Sequence, residues 1–178
     1  MSKTELKKEL KGFSAEQLSE IILNIYGVSK EAKAYLEFFI NPDPEAFLKE
    51  KFEAIFKELK RVRRGTLSKG RISVIRGFIR QGQAYGLTPE YIDKLMMGSI
   101  SLLVSTEAYL YYPASLFNGT YKLVADYIVW ANKCGMLSTA LEKLDALVRD
   151  TYTGTEHFRK NVSRTIDATV RTLNAVGK

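Results

Sequence analysis

The sequence contains few of the side chains that form disulfides, metal centres and nucleophilic sites. Its 178 residues include one cysteine, Cys134, and one histidine, His157. A single cysteine excludes an internal disulfide, and a single histidine excludes any metal or catalytic site that needs two imidazoles. Because no second cysteine or histidine lies near Cys134, we expect a buried, inert thiol. His157 lies among charged residues, and we expect it at the surface.

Catalytic motifs and long hydrophobic runs are also missing. The chain has no Walker A, GxGxxG, GxSxG or HExxH pattern. The charge-free stretch Leu95–Thr106 has 12 residues, or roughly 18 Å of helix, against a hydrocarbon core of ~30 Å. We therefore predict no membrane association, no cofactor and no enzymatic activity. The charged residues 1–11 do not resemble a secretory signal, and together with the single thiol they predict a cytoplasmic protein.

Signals for helix starts and ends are abundant. Ser14 and Gln17 form a capping box, and Pro44 and Pro89 each follow a capping residue and precede a glutamate. Apolar residues recur with the helical period, and no segment alternates as a strand does. These patterns predict an all-α protein of about eight helices, arranged as stacked antiparallel helix pairs in an α-α superhelix or HEAT-like array.

Glycine and proline give the expected boundaries. The helices predicted after the first forty residues cover Pro44–Gly65, Ser68 or Gly70 to Gly86, Pro89–Tyr112, Thr120–Lys133, Ser138–Tyr152 and Thr155–Val176. We expect residues 1–178 to form a single all-helical domain, in which residues 1–41 can form an N-terminal subregion ahead of a helix-pair array over 43–178.

An internal similarity favours a repeat of helix pairs. A shift of 49 residues places Gly86 on Gly135, and residues 92–95 on residues 141–144. Spacings in the forties are typical of HEAT-class repeats. The alternative is that two unrelated amphipathic helix pairs with glycine turns match by chance.

The overall pattern of the chain resembles an uncharacterised bacterial all-helical family of unknown function. Two segments carry this resemblance most clearly, Ser2–Leu10 and Phe13–Leu18. The resemblance implies a helical fold over most of the chain, and it assigns no functional residue.

Positive charge is concentrated in one segment. Residues 57–80 hold nine basic residues and one acid, Glu58, for a net charge of +8, whereas the whole chain has +7 and the remainder therefore −1. Like charges placed close together repel, so we expect a partner or neighbouring acids to offset them. The candidate binding residues, expected on a helical hairpin, are Lys57, Lys60, Arg61, Arg64, Lys69, Arg71, Arg76 and Arg80.

Two functions fit this pattern. The first is a non-enzymatic helical interaction or scaffold module that binds a protein partner. The second is nucleic-acid binding through the basic hairpin 57–80, whose arginines suit phosphate contacts. That segment has one aromatic residue, Phe78, too few to interleave with its basic residues, and no RNA- or DNA-binding motif. An ordinary solvated, salt-bridged surface also explains the charge.

Aromatic residues are concentrated after the apolar helix. Seven of them fall within 22 residues, namely Tyr109, Tyr111, Tyr112, Phe117, Tyr121, Tyr127 and Trp130. We expect them in the core and at its rim, a ligand pocket or partner interface being the alternative. Glu107 is isolated among apolar and small residues, and we expect it to pair with a basic side chain of the preceding hairpin. An enzyme built on a tyrosine-lined pocket with Glu107 as its acid is a third hypothesis, although no second carboxylate is visible. Gly98, Ser101 and Ser105 predict a close approach between helices.

Overall fold

The structure is a computed structural model that describes residues 1–63, 65, 67–150 and 154–176. Nine helices and two short strands fall within these residues, which confirms the all-α class. They are α1 (Lys3–Leu10), α2 (Ala15–Val28), α3 (Lys30–Ile40), α4 (Pro44–Leu59), β1 (Val62–Arg63), β2 (Leu67–Ser68), α5 (Ile72–Ala84), α6 (Pro89–Glu107), α7 (Ala114–Lys133), α8 (Leu137–Arg149) and α9 (Glu156–Val176).

The chain divides into two compact units, Met1–Asp43 and Pro44–Lys178. In the first unit, α2 packs against α3. The capping box expected at the start of α2 is confirmed, since Gln17 N donates to Ser14 Oγ at 3.2 Å and Ser14 N donates to Gln17 Oε1 at 2.8 Å. No residue of this unit is buried.

The second unit is built around α6 and α7. Helix α6 packs against α4, α5, α7 and α8, and α7 also packs against α5, α8 and α9. The largest fully buried side chains are Tyr127, Phe158, Ile55, Leu59, Ile75, Leu95, Ile100, Leu103, Leu116, Leu123, Ile128 and Leu144. Burial of each contributes about 1.5–3 kcal/mol. In the described part of the chain, no helix is long and apolar enough to cross a membrane.

Helix α4 ends at Leu59, so the prediction that it continues to Gly65 is wrong. A short antiparallel pair follows instead, with Val62 opposite Ser68. The Ser68 hydroxyl donates to the Leu59 carbonyl at 2.7 Å, and Lys69 N donates to the Arg61 carbonyl at 2.6 Å. The returning segment thus satisfies the carbonyls at the end of the helix. Strands of two residues are too short to produce a recognisable pattern in the sequence.

Other helix ends also differ from the sequence prediction. Helix α5 begins at Ile72, α6 ends at Glu107, and α7 begins at Ala114 instead of Thr120. Pro113 occupies the N-cap position of α7, where its carbonyl accepts a hydrogen bond from Leu116 N at 2.9 Å. The expected end of α8 at Tyr152 lies outside the described residues.

The two glycines that the 49-residue shift aligns occupy equivalent turns. Gly86 follows α5 with φ of 75°, and Gly135 follows α7 with φ of 71°. Positive φ favours glycine after the last helical turn. The repeat itself stays a prediction, because any helix ending in this turn selects glycine.

Candidate functional site

The one acid of the basic segment is buried at the end of α4. The Glu58 carboxylate accepts hydrogen bonds from Arg61 Nη1 at 2.9 and 3.1 Å, from Arg71 Nε at 2.8 Å and from Arg71 N at 3.1 Å. The side-chain hydrogen bond from Arg71 lowers the pKa of Glu58 below its ordinary value, and this outweighs burial, which raises it. Two of the predicted binding arginines are therefore paired within the chain.

A third arginine is paired between helices. Arg76 of α5 lies with its Nη2 atom 2.6 Å from Asp126 Oδ2 of α7, as an ion pair without the geometry of a hydrogen bond. Arg80, one turn further along α5, is exposed. Both arginines line a small cavity of about 230 Å³ beside Trp130.

The predicted set of basic residues does not form one face of a helical hairpin. Lys60 and Arg61 lie beyond the end of α4, and Lys69 precedes α5, so their expected helical spacing is wrong. Arg64 lies outside the described residues. Lys57, Lys60, Lys69 and Arg80 are exposed. The structure thus separates three arginines that are paired with acids from three lysines and Arg80, which face solvent.

A groove lies beside this segment, between the end of α4, the strand pair and the end of α6. Its volume is about 600 Å³, and its walls contain Phe56, Lys60, Val62, Gly65, Leu102, Ser105, Thr106, Tyr109 and Leu110. Phe56 is 42% exposed, Val62 46% and Tyr109 78%. Lys60 Nζ lies 4.1 Å from the centroid of the Phe56 ring, a cation–π contact at the wall of the groove.

Backbone hydrogen bonds hold the two walls of the groove in place. Ser68 N donates to the Tyr111 carbonyl at 2.9 Å, which joins β2 to the segment after α6. Tyr109 N and Leu110 N both donate to the Thr106 carbonyl, at 3.0 and 3.1 Å. Gly65, with φ of 92°, makes the turn between the strands.

The aromatic stretch divides into core and surface. Tyr112, Phe117 and Tyr121 surround Phe158 of α9, with ring centroids 5.1–6.2 Å from its ring. Tyr112 also donates to the Leu103 carbonyl at 2.7 Å, and burial raises its pKa. Tyr109 in the groove wall and Tyr111 are exposed, so the stretch divides between the core and its rim.

A buried carboxylate that the sequence did not single out joins three helices. Asp93 of α6 accepts a hydrogen bond from Tyr127 Oη of α7 at 2.6 Å and a charged hydrogen bond from Lys143 Nζ of α8. Burial raises the pKa of Tyr127, and its hydrogen bond to Asp93 raises it further. No local pattern marks Asp93 in the sequence, because Glu90 and Lys94 lie beside it in the first turns of α6. Asp93 also lines a cavity of about 750 Å³ with Phe52 and Gly98.

Glu107 has a different partner from the one expected. Its carboxylate accepts hydrogen bonds from Thr155 N at 2.8 Å and Thr155 Oγ1 at 3.0 Å, at the start of α9. A carboxylate at a helix N-terminus is stabilised by the helix dipole and free N–H groups. Among the described residues, the predicted pairing of Glu107 with a basic side chain does not occur.

Cys134 is exposed at the C-cap of α7, so the expectation of a buried thiol is wrong. His157 is exposed, as predicted, and its ring contacts Asn161. Over residues 1–63, 65, 67–150 and 154–176, no group of three potential metal ligands occurs.

Comparison with other proteins gives a family but no activity. The comparisons with curated proteins and with solved structures found no match. A family model described as a family of unknown function, DUF6155, matches residues 1–168. The match confirms the resemblance to a family of unknown function. With nearly the whole length matched, the chain belongs to the DUF6155 family.

Proposed function

We propose that this protein is a non-enzymatic helical module that binds a segment of a partner protein in the groove between α4, the strand pair and α6. The groove itself carries the proposal, because Phe56, Val62 and Tyr109 expose apolar surface around a concave site. Exposed apolar side chains around a cavity of this kind are typical of sites in which a partner buries an anchor residue.

The charge around the groove favours an acidic partner. Lys60 lines the groove, and Lys57 and Lys69 are exposed in the adjoining segments. Glu58, the acid of this segment, already binds Arg61 and Arg71. Charge complementarity raises the rate of association and excludes like-charged partners. The proposed occupant is therefore an amphipathic segment with apolar anchors and flanking Asp or Glu residues.

Nucleic-acid binding through residues 57–80 is the second candidate. The exposure of Lys57, Lys69 and Arg80 favours it. The ion pairs of Arg71 with Glu58 and of Arg76 with Asp126 count against it, because phosphates must compete with acids of the same chain. If about six phosphates were contacted, affinity for RNA would fall roughly a thousandfold between about 50 and 200 mM salt.

Peptide display on the immobilised full-length protein tests the groove. The enriched peptides should combine large apolar residues with Asp or Glu. Fluorescence anisotropy should then show that Tyr109→Ala and Lys60→Glu each weaken binding about tenfold, or about 1.4 kcal/mol. Tyr111→Ala is the matched control, because Tyr111 is 75% exposed and lies outside the groove lining.

Two results would overturn the proposal. One is the absence of enriched peptides, and the other is equal weakening by Tyr109→Ala and Tyr111→Ala. Steeply salt-dependent binding of a single-stranded RNA, abolished by Lys60→Glu, would favour the second candidate instead. We also propose that the protein acts in the cytoplasm, where a lone thiol stays reduced.

A further inference from the structure

The small cavity between α5, α6 and α7 has the construction of a ligand site. Its volume is about 230 Å³, and it shares no lining residue with the groove. Three of its lining residues, Ile79, Met96 and Leu123, are buried and give it an apolar floor. Polar and aromatic side chains of α5 and α7 supply the walls. An apolar hollow with a few converging polar groups is the usual form of a small-molecule site.

The wall on α5 carries two arginines with unused hydrogen-bond donors. Arg76 and Arg80 are four residues apart, so they lie on one side of the helix. Arg76 Nη2 is buried without a hydrogen bond to any described residue, although Asp126 Oδ2 lies 2.6 Å away as an ion pair. Arg80 is exposed and forms no ion pair within the described part of the chain. Because a buried donor without an acceptor is destabilising, an acceptor atom in the cavity would be bound favourably.

The facing wall on α7 combines one carboxylate with an aromatic ring. Asp126 and Trp130 are four residues apart on this helix. Asp126 balances the charge of Arg76, so the charge of Arg80 remains in the cavity. The Trp130 ring is stacked on Tyr127, with centroids 6.2 Å apart and planes at 17°, and Tyr127 is itself hydrogen-bonded to Asp93. The indole is therefore a flat wall whose orientation is fixed by packing.

We propose that this cavity binds a small carboxylate that carries one flat apolar ring. The planar guanidinium groups of Arg76 and Arg80 match the geometry of a carboxylate, and the face of Trp130 offers a stacking surface for the ring. The single unbalanced positive charge suits a monoanion, whereas Asp126 would repel the second charge of a phosphate. The volume lies below the ~300 Å³ of the smallest usual ligand pockets, which restricts the ligand to about one ring. This binding goes beyond the proposed function and does not involve the groove.

Titration of the full chain with benzoate, followed by tryptophan fluorescence, tests the site. Trp130 is the single tryptophan of the sequence, so its emission reports on this cavity. We expect a saturable change with benzoate, and at least tenfold weaker binding of benzamide, which has the same shape without the charge. Arg80→Gln should weaken benzoate binding about tenfold, because it removes a charged donor. Arg164→Gln, the same substitution at an exposed residue of α9, is the matched control and should leave the affinity unchanged.

Four results would overturn the proposal. The first is emission that does not saturate with benzoate up to roughly 10 mM, ten times a Kd of about 1 mM, because collisional quenching alone behaves in this way. The second is equal binding of benzoate and benzamide, which would exclude recognition of the carboxylate. The third is equal weakening by Arg80→Gln and Arg164→Gln, which would reveal a general effect of charge. The fourth is binding of inorganic phosphate as tight as that of benzoate, which would show a site for anions without selectivity for carboxylates.

Discussion

Arg71 donates two hydrogen bonds to Glu58 Oε1, one from its side-chain Nε at 2.8 Å and one from its backbone N–H at 3.1 Å. This double contact joins the end of α4 to the start of α5. Arg61 binds the same carboxylate from the loop between them. The most basic part of the chain is therefore folded around its own counter-ion, and its lysines Lys57, Lys60 and Lys69 are exposed.

Replacement of Glu58 by glutamine should destabilise the protein in a pH-dependent way. The folded-state pKa of Glu58 is lowered, so its stabilisation is complete above the unfolded value of about 4.3 and is lost as pH falls through the folded value. We expect the free energy of unfolding to fall by about 1–3 kcal/mol at pH ~7, and the difference from the parent to shrink below pH ~4.

Urea unfolding at these two pH values measures the effect. Glu142→Gln is the control, because Glu142 is exposed on α8, and surface changes of this kind stay within about 0.5 kcal/mol. Equal stability of Glu58→Gln and the parent at neutral pH would refute the role of this carboxylate. So would a deficit that stays constant down to acid pH.

The buried Asp93 makes Tyr127 sensitive to loss of its hydroxyl. Tyr127→Phe removes the donor 2.6 Å from Asp93 Oδ1 and leaves that oxygen buried without this hydrogen bond. We expect a loss of about 1–3 kcal/mol in the free energy of unfolding. Tyr111→Phe, at a side chain that is 75% exposed, should be neutral. If the two variants are equally stable, the hydrogen bond to Asp93 does not contribute to the free energy of unfolding.

The close approach of α4 and α6 can be tested at Gly98. A Cβ atom there would lie 2.5 Å from Cζ, the tip of the Phe52 ring, so the ring must turn away and its packing against α6 is lost. Gly77 in α5 has no atom within 4 Å of such a Cβ, and Gly77→Ala should stabilise by about 0.5–1 kcal/mol. Gly98→Ala should therefore be less stable than Gly77→Ala by about 1–3 kcal/mol in thermal unfolding, and equal shifts in the two variants would contradict the packing at Gly98.

The exposure of Cys134 predicts a reactive thiol in the folded protein. An aromatic disulfide reagent should label one equivalent of thiol without denaturant, because Cys134 is exposed beyond the last turn of α7. Cys134→Ser should abolish the signal and leave unfolding unchanged within about 0.5 kcal/mol. Labelling that occurs only after urea is added would show that the thiol is covered in solution.

Local sequence signals were sufficient for the fold class and for several helix starts. The capping box at Ser14 and the proline at Pro44 act through neighbours three or four residues away, so their effect is readable in one segment. The end of α4 could not be predicted from local sequence. It depends on Ser68 and Lys69 returning to bond the carbonyls of Leu59 and Arg61, and those contacts exist only in the folded chain.

The candidate site was only partly predictable for the same reason. Charge counting found the basic segment, but it could not show that Glu58 binds both Arg61 and Arg71. The groove could not be predicted, because Phe56 and Tyr109 lie in distant segments of the sequence. They line one groove only because α4 ends at Leu59 and α6 at Glu107, before the predicted ends. The partner of Glu107 cannot be predicted from local sequence, because Thr155 lies 48 residues further along the chain.

Photo-crosslinking from the groove in living cells is the most direct measurement of the proposed binding function. A benzophenone amino acid placed at position 109 should capture one protein at near-stoichiometric yield, through an acidic segment of that protein. The same group at position 111, which is comparably exposed but outside the groove lining, should capture little of it. Equal capture from both positions, or no captured protein at position 109, would contradict the groove as a binding site.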